Sequence, residues 1–146
     1  MDAPPDVHAL LRGTCRELVE LVEADGCVLS RVIGELLIEI AQYSPSGQAL
    51  GLGHGYLIPD YPLTQAVIEQ RLPQTVSLDD PAADKNETAL LRELGFGSLL
   101  MLPIVSGDEC WGLVELYGRD AHRFGHGHVR RSAALLERAA TLISAA

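Results

Sequence analysis

The sequence predicts one α+β domain, in which helices cover the two faces of an antiparallel sheet. Two pairs of adjacent strands indicate the sheet, one near the start of the chain and one formed by Leu99–Val105 and Cys110–Tyr117. Helical patterns occupy both termini, outside the strand pairs. We therefore expect the terminal helices to lie together on one face of the sheet and the middle helices to cover the other.

The first part of the chain predicts a helix followed by a hairpin. Val7 to Ala24 has apolar residues at helical spacing, and Asp6 can cap its start. Strands are predicted at Cys27–Ile33 and Leu36–Tyr43, because the turn residues Gly34-Glu35 separate two apolar runs.

The middle of the chain predicts short elements. A brief strand is expected near Tyr56–Ile58, a helix from Pro62 to Arg71, and a strand at Gln74–Leu78. A further helix, capped by Asn86 or Thr88, is expected to end at Leu94, just before a glycine.

The last part of the chain carries the clearest hairpin signal and a long helix. The polar turn 106–109 joins the two apolar strands, and one charge, Glu115, interrupts the second of them. His128 to Ala145 is rich in alanine and leucine and predicts the final helix.

Composition limits the class of protein. The 146 residues, with 47% hydrophobic and 21% charged side chains, fit a single domain, 1–146, with its own core. The formal net charge of −9 argues against binding to nucleic acid or to an anionic membrane. The apolar runs are too short to span a membrane and the N-terminus does not read as a secretory signal, so we expect a cytoplasmic protein.

Several motifs, in order along the chain, resemble those of GAF domains, the small sensory modules of signalling proteins. They are the runs Gly95–Pro103 and Trp111–Tyr117, then Phe124, together with the middle segments Pro62–Arg71, Pro73–Val76 and Asp79–Pro81. The resemblance covers nearly the whole chain. PAS domains are the nearest related fold, but their order of strands matches less well.

The resemblance implies a central antiparallel sheet with a small-molecule pocket on one face and the two terminal helices on the other. In relatives these helices often continue as coiled coils and form dimers, and most such domains have no catalytic activity. A homodimer through the N- and C-terminal helices, a signalling effector protein as partner and no enzymatic function are therefore expected.

Glu115 is the first candidate for ligand binding. In GAF domains that bind cyclic nucleotides, an acidic residue at the matching strand position faces the pocket, where a carboxylate accepts hydrogen bonds from a ligand amine or ring N–H. The alternatives are that Glu115 faces solvent or pairs with an arginine of a helix. Leu63 and Thr64 are candidates because they lie at the start of the middle helix, where free N–H groups attract anions.

Four further residues are weaker candidates. Arg92 can hold an anionic ligand and Phe96 can stack on one, since both flank the end of the helix that closes the pocket in the family. Tyr43, at the end of the second strand, and Val28, in the first, complete the set. The alternative is that these side chains are solvated or belong to the core.

The cofactor signatures of the family are missing, so the ligand is expected to be an unknown small molecule. The cyclic-nucleotide pattern is incomplete, and residues 79–97 contain neither the cysteine that attaches a bilin nor the histidine that binds haem in relatives. The three histidines between His122 and His128 suit a solvated loop better than a metal site, so no metal is expected.

Three hypotheses follow from the sequence. The favoured one is a sensor that binds a small ligand and signals through its terminal helices. The second is a GAF-like dimerisation or interaction module that binds no ligand. The third is an enzyme, a free-methionine-sulfoxide reductase of the same fold, which is disfavoured because Cys27 and Cys110 fall in or beside strands rather than in loops.

Overall fold

The computed structural model describes residues 7–50 and 55–145. Within these ranges the chain forms one six-stranded sheet, four α-helices and a single turn of 3-10 helix at Ile58–Asp60. The helices are α1 Val7–Val22, α2 Pro62–Gln70, α3 Lys85–Leu94 and α4 His126–Ala145. The strands are β1 Gly26–Ile33, β2 Leu36–Tyr43, β3 Gly55–Leu57, β4 Gln74–Ser77, β5 Ser98–Ser106 and β6 Glu109–Gly118.

The sheet has the order β3-β2-β1-β6-β5-β4, and every neighbouring pair of strands is antiparallel. The two predicted hairpins therefore supply the four central strands, with β1 and β6 side by side in the middle. This architecture confirms the α+β prediction.

The terminal helices lie together on one face of the sheet. α1 and α4 pack against each other and against the strands through a buried apolar cluster that includes Leu18, Leu116 and Ile143. Arg123, just before α4, donates hydrogen bonds to the carbonyl oxygens of Val22 (2.8 Å) and Glu23 (3.0 Å) at the end of α1. These bonds occupy carbonyl groups that a helix end leaves free, and they tie the two termini together.

The opposite face is covered by α2, α3 and the 3-10 turn. A second buried cluster, with Val28, Leu91, Leu99 and Leu113 among its members, joins these elements to the sheet. This is the arrangement of middle helices that the sequence predicts. The site described below lies on this face.

Several element ends differ from the prediction. α3 begins at Lys85 because Asp84 is its N-cap, with its side chain accepting a hydrogen bond from the backbone N–H of Glu87 at 3.1 Å. Asn86 and Thr88, which were the expected caps, lie inside the helix. α1 ends at Val22 and α4 begins at His126, each two residues from the expected bound. The predicted cap Asp6 lies outside the described residues.

β2 contains a bulge that changes which face its side chains occupy. Ala41 is opposite Leu29 and Glu39 is opposite Ser30, so Ile40 is an extra residue on β2. Side chains on a regular strand alternate, and positions 39, 41 and 43 would share one face. Because of the extra residue, Ala41 and Tyr43 pack instead on the side of the terminal helices.

No helix in the described ranges has both the length and the apolar character needed to cross a membrane.

Candidate functional site

A cavity of about 360 Å³ lies between the sheet and the α2–α3 side of the domain. Its walls come from β2, β3, β6, α2, α3 and the 3-10 turn, so distant parts of the chain meet there. The lining residues are Leu37, Glu39, Leu50, Tyr56, Ile58, Tyr61, Thr64, Glu87, Leu90, Glu93, Leu94, Glu115 and Tyr117. Apolar walls with a few polar groups are typical of sites that bind small molecules.

Glu115 stands on β6 and reaches the cavity from the middle of the sheet. It is opposite Val28 on β1 and Met101 on β5, and it is partly buried. The hydroxyl of Tyr117 donates a hydrogen bond of 3.3 Å to Glu115 Oε2. Among the described residues that line the cavity there is no arginine, so Glu115 has Tyr117 rather than a helix arginine as its neighbour there.

Glu39 reaches the same cavity from β2. Its side chain is 4% exposed, and its Oε1 atom has no hydrogen-bond partner. A buried acceptor without a donor is unfavourable, because burial removes water and nothing replaces it. Glu39 is therefore a group that a ligand can satisfy.

Glu87 is the third carboxyl group and belongs to α3. It is 2% exposed and accepts a hydrogen bond from the hydroxyl of Thr64 on α2. Thr64 Oγ1 also lies 3.5 Å from the sulfur of Met101 on β5. The Thr64–Glu87 bond thus connects the two helices that cover the cavity.

The pKa values of the three carboxyl groups are all raised. Burial, together with the nearby charges of Glu87 and Glu39, raises the pKa of Glu115 to about 8, and the hydrogen bond from Tyr117 is a smaller opposing effect. Burial also raises the pKa of Glu39 to about 7. The pKa of Glu87 is raised by burial, although the bond from Thr64 opposes the change.

Aromatic rings form much of the remaining wall. Tyr56 and Tyr61 meet edge to face with their centroids 5.7 Å apart. Tyr117 stacks on Phe96 with a centroid distance of 5.1 Å. These contacts hold three tyrosine side chains in place around the carboxyl groups.

Of the residues that the sequence predicted for ligand binding, Glu115 and Thr64 line the cavity. Leu63 does not: it lies in a separate shallow groove with Pro62 and Val76, because adjacent helical positions point about 100° apart. Whether any of these residues binds a ligand stays a prediction.

Arg92 and Phe96 lie outside the lining. Arg92 is exposed in the last turn of α3 and borders a groove with Lys85 and Thr88 instead. Phe96 is 2% exposed and supports the cavity from behind, through its stacking on Tyr117.

Val28 and Tyr43 also lie outside the lining. Val28 faces the correct side of the sheet but is fully buried in the cluster beneath the cavity. Tyr43 faces the terminal helices and lies beside His8 and Arg12, because the bulge at Ile40 reverses its direction.

Sequence reasoning missed most of the lining. Glu39 interrupts an apolar strand in the same way as Glu115, so the argument that selected Glu115 would also have selected Glu39. The tyrosines Tyr56, Tyr61 and Tyr117 and the acidic Glu87 carry no comparable local signal. They come together only when the strands and helices pack.

The three cysteines and the described histidines lie outside the cavity lining. Cys15 and Cys27 are buried on the side of the terminal helices, and Cys110 is partly buried near the start of β6. His122 pairs with Asp79 at 2.6 Å, and His128 accepts a hydrogen bond from the backbone N–H of Gly125. Among the described residues, no three metal-binding side chains are grouped to hold an ion.

Comparison with known proteins adds the following findings. The family model of the GAF domain matches residues 6–146. No curated protein matches the sequence.

Several solved structures share the fold. The blue-light-absorbing form of the PixJ GAF domain from Thermosynechococcus elongatus has a TM-score of 0.82 and 14% identity, and the match covers 96% of this chain and 86% of the PixJ chain. The GAF domain/HD domain protein from Geobacter sulfurreducens has a TM-score of 0.77 and 19% identity, and the match covers 96% of this chain and 93% of the Geobacter chain. The chromophore-binding domain of the Stigmatella aurantiaca bacteriophytochrome has a TM-score of 0.80 and 15% identity, and the match covers 98% of this chain and 56% of the bacteriophytochrome chain.

Proposed function

Because the chain belongs to the GAF domain family, as its motifs implied, we propose that it is a sensor domain that binds a small organic molecule. The ligand occupies the cavity beside Glu115, and the domain reports its presence through α1 and α4. The observation that carries this proposal is the cavity itself, about 360 Å³ of space beside the buried carboxyl group of Glu39, whose Oε1 atom lacks a hydrogen-bond partner.

The cavity also favours the sensor over a dimerisation module that binds no ligand. In such a module, the domain's own side chains would fill the space beside Glu115. Here the space is bordered by Glu39, Glu115 and Tyr56, whose polar atoms suit a bound molecule better than a packed core.

The described lining of the cavity disfavours a bilin as the ligand. The PixJ domain is described in a blue-light-absorbing form and the bacteriophytochrome domain as chromophore-binding, and a phycocyanobilin-bound GAF domain from a cyanobacterial phytochrome shares the fold at 16% identity. A bilin carries carboxylate side chains, whereas the lining supplies four glutamates and, among the described residues, no lysine, arginine or histidine. None of the three cysteines borders the cavity to attach the pigment.

The same lining disfavours two other ligands of the family. The phosphate of a cyclic nucleotide would meet acidic groups with no basic partner among the described lining residues, and no histidine of that lining is available to haem.

We also propose that the domain catalyses no reaction. A sulfoxide reductase needs cysteines that reach the ligand, but Cys27 is buried on the opposite face of the sheet and Cys110 borders no part of the cavity.

The output is proposed to pass through a homodimer of the terminal helices, with a signalling effector protein as the next partner. Both helices carry exposed apolar side chains, Leu21 on α1 and Leu142 on α4, the latter 62% exposed. Sedimentation of the purified chain is expected to show a dimer that Leu142→Glu weakens. A monomer at every concentration would contradict this part of the proposal and leave ligand binding untouched.

The ligand proposal is tested by a metabolite screen with thermal unfolding as the readout. A compound present at about 100 times its dissociation constant stabilises the folded state by about 2.7 kcal/mol. For a domain of this size we expect the melting temperature to rise by roughly 5–10 °C.

A matched pair of variants locates the binding. Leu90→Trp fills the cavity from a partly exposed position on α3 and should abolish the rise, whereas Leu72→Trp, at an exposed position outside the cavity, should preserve it. A screen in which no compound shifts the wild type would overturn the proposal. So would a shift that survives Leu90→Trp.

A further inference from the structure

We propose that the cavity selects an organic cation, a compound with a protonated amine or related ammonium group on an apolar body. This inference rests on the proposed function, because it names the chemical class of the ligand in the same cavity.

The first reason is the one-sided charge of the lining. Glu39, Glu87 and Glu115 approach the cavity from β2, α3 and β6, and Glu93 lies at its border. Among the described lining residues no basic side chain balances them. A cation would meet attraction from each group, and an anion would meet repulsion, so the lining both favours one charge and rejects the other.

The second reason is the free oxygen of Glu39. This side chain is only 4% exposed, it borders the cavity, and its Oε1 atom accepts no hydrogen bond. An ammonium group carries up to three N–H donors and no acceptor, which is the complement that a cluster of carboxylate acceptors requires.

The third reason is the composition of the remaining walls. Tyr56, Tyr61 and Tyr117 present aromatic rings, which attract cations through their faces. The apolar side chains of Leu37, Leu50 and Ile58 provide surface for the ligand's carbon skeleton. An organic cation uses both kinds of wall.

A metal ion fits less well than an organic cation. Metal ions need several oxygen atoms at about 2.0–2.6 Å from one point. In the part of the chain that the structure describes, no three histidine, cysteine or acidic side chains are grouped in that way. The carboxyl groups are spread around the cavity, as a larger ligand requires.

Binding of a cation should also release protons. The titratable groups that face the site are Glu39 on β2, Tyr56 on β3, Tyr61 before α2, Glu87 and Glu93 on α3, and Glu115 and Tyr117 on β6. In the empty cavity the pKa of Glu39 is about 7 and that of Glu115 about 8. A bound cation favours their ionised forms, so affinity should rise about tenfold per pH unit for each proton released, up to about pH 8.

The test uses three carbon skeletons, n-butyl, cyclohexylmethyl and 2-phenylethyl, each carrying an amine, a hydroxyl or a carboxylate in turn. Affinities are measured by ligand-observed NMR at pH 6, 7 and 8. The amines are expected to bind at least about tenfold more tightly than the alcohols, and their affinity should increase with pH. The carboxylates should show no binding.

Variants separate the contribution of the carboxyl groups from general packing. Glu39→Gln and Glu115→Gln keep the shape of the side chain and are expected to weaken amine binding by about tenfold each. Glu109→Gln, at the exposed start of the same strand as Glu115, is the matched control and should leave binding unchanged.

The outcomes also separate this inference from the proposed function. If alcohols or carboxylates bind the cavity as tightly as the amines, the proposed selectivity for a cation is wrong, whereas the proposed sensor function stands. Amine binding unaffected by both Glu→Gln variants would lead to the same conclusion. If no compound of any charge binds, here or in the metabolite screen, both proposals fail.

Discussion

The two faces of the sheet differ in how their space is filled, although they are made by the same strands. On β6, Val114 and Leu116 point toward the terminal helices and are fully buried in apolar surroundings. The neighbouring residues Glu115 and Tyr117 point the other way and border a cavity. One face is packed for stability, and the other retains space and buried charge.

The two faces therefore contribute differently to the free energy of folding. Closely packed apolar side chains stabilise the domain through the face of α1 and α4. The cavity face includes two carboxyl groups, Glu39 and Glu115, that destabilise the fold when they are ionised and no ligand occupies the cavity. A ligand that pairs with these carboxyl groups would stabilise the domain, and this stabilisation is the energetic basis of a sensor.

The largest expected effect comes from removing side-chain volume on the packed face. Leu116→Ala should lower the free energy of unfolding by about 2–5 kcal/mol, because it leaves a new cavity in a filled core. Leu37→Ala removes the same atoms beside a space that already exists, and should cost about 2 kcal/mol or less. Urea denaturation measures both values. Equal losses would contradict the distinction between the faces.

The next effect is a dependence of stability on pH that arises on the cavity face. Since the pKa of Glu115 is about 8 in the folded chain and 4.5 in the unfolded one, the folded state holds the extra proton between these values. Stability is therefore highest below about pH 4.5 for this group and falls as the pH rises toward 8.

Glu115→Gln should remove this group's share of the pH dependence. We expect the variant to be more stable than the wild type by roughly 4 kcal/mol at pH 8.5 and similar to it at pH 5. Chemical denaturation across this pH range provides the measurement. Parallel curves for the two proteins would show that Glu115 does not carry the predicted proton.

The smallest effect concerns the hydrogen bond that connects α2 and α3. Thr64→Val keeps the shape of the side chain but removes the donor to Glu87, and should cost about 1–2 kcal/mol. Thr75→Val makes the same change at an exposed position of β4 and should stay within about 0.5 kcal/mol of the wild type. If the two variants lose the same free energy of unfolding, the Thr64–Glu87 bond does not stabilise the packing of α2 against α3.

The sequence predicts the order of elements well because hairpin turns and helical periodicity are local signals. The two hairpins and the terminal helices agree with the structure within a few residues. Asp84 shows the limit of such signals, since Asn and Thr nearby are also suitable caps and only the backbone geometry selects one of them.

The cavity is less predictable, for a physical reason. A charge inside an apolar strand is visible in the sequence, and so Glu115 was identified and Glu39 was identifiable. Tyr43, a candidate for ligand binding in the sequence, lies on the side of the terminal helices, because nothing local distinguishes a strand with a bulge from a regular one. The positions of Glu87 and Tyr61 depend on how the helices dock, which is set by long-range packing.

The extra residue in β2 has a mechanical consequence. Glu39 touches the cavity and Tyr43 lies against the terminal-helix side, only four residues further along one hydrogen-bonded strand. Because β2 also packs against α1, a ligand that displaced Glu39 would move a strand that contacts this terminal helix. One continuous strand therefore links the cavity to the opposite face of the sheet.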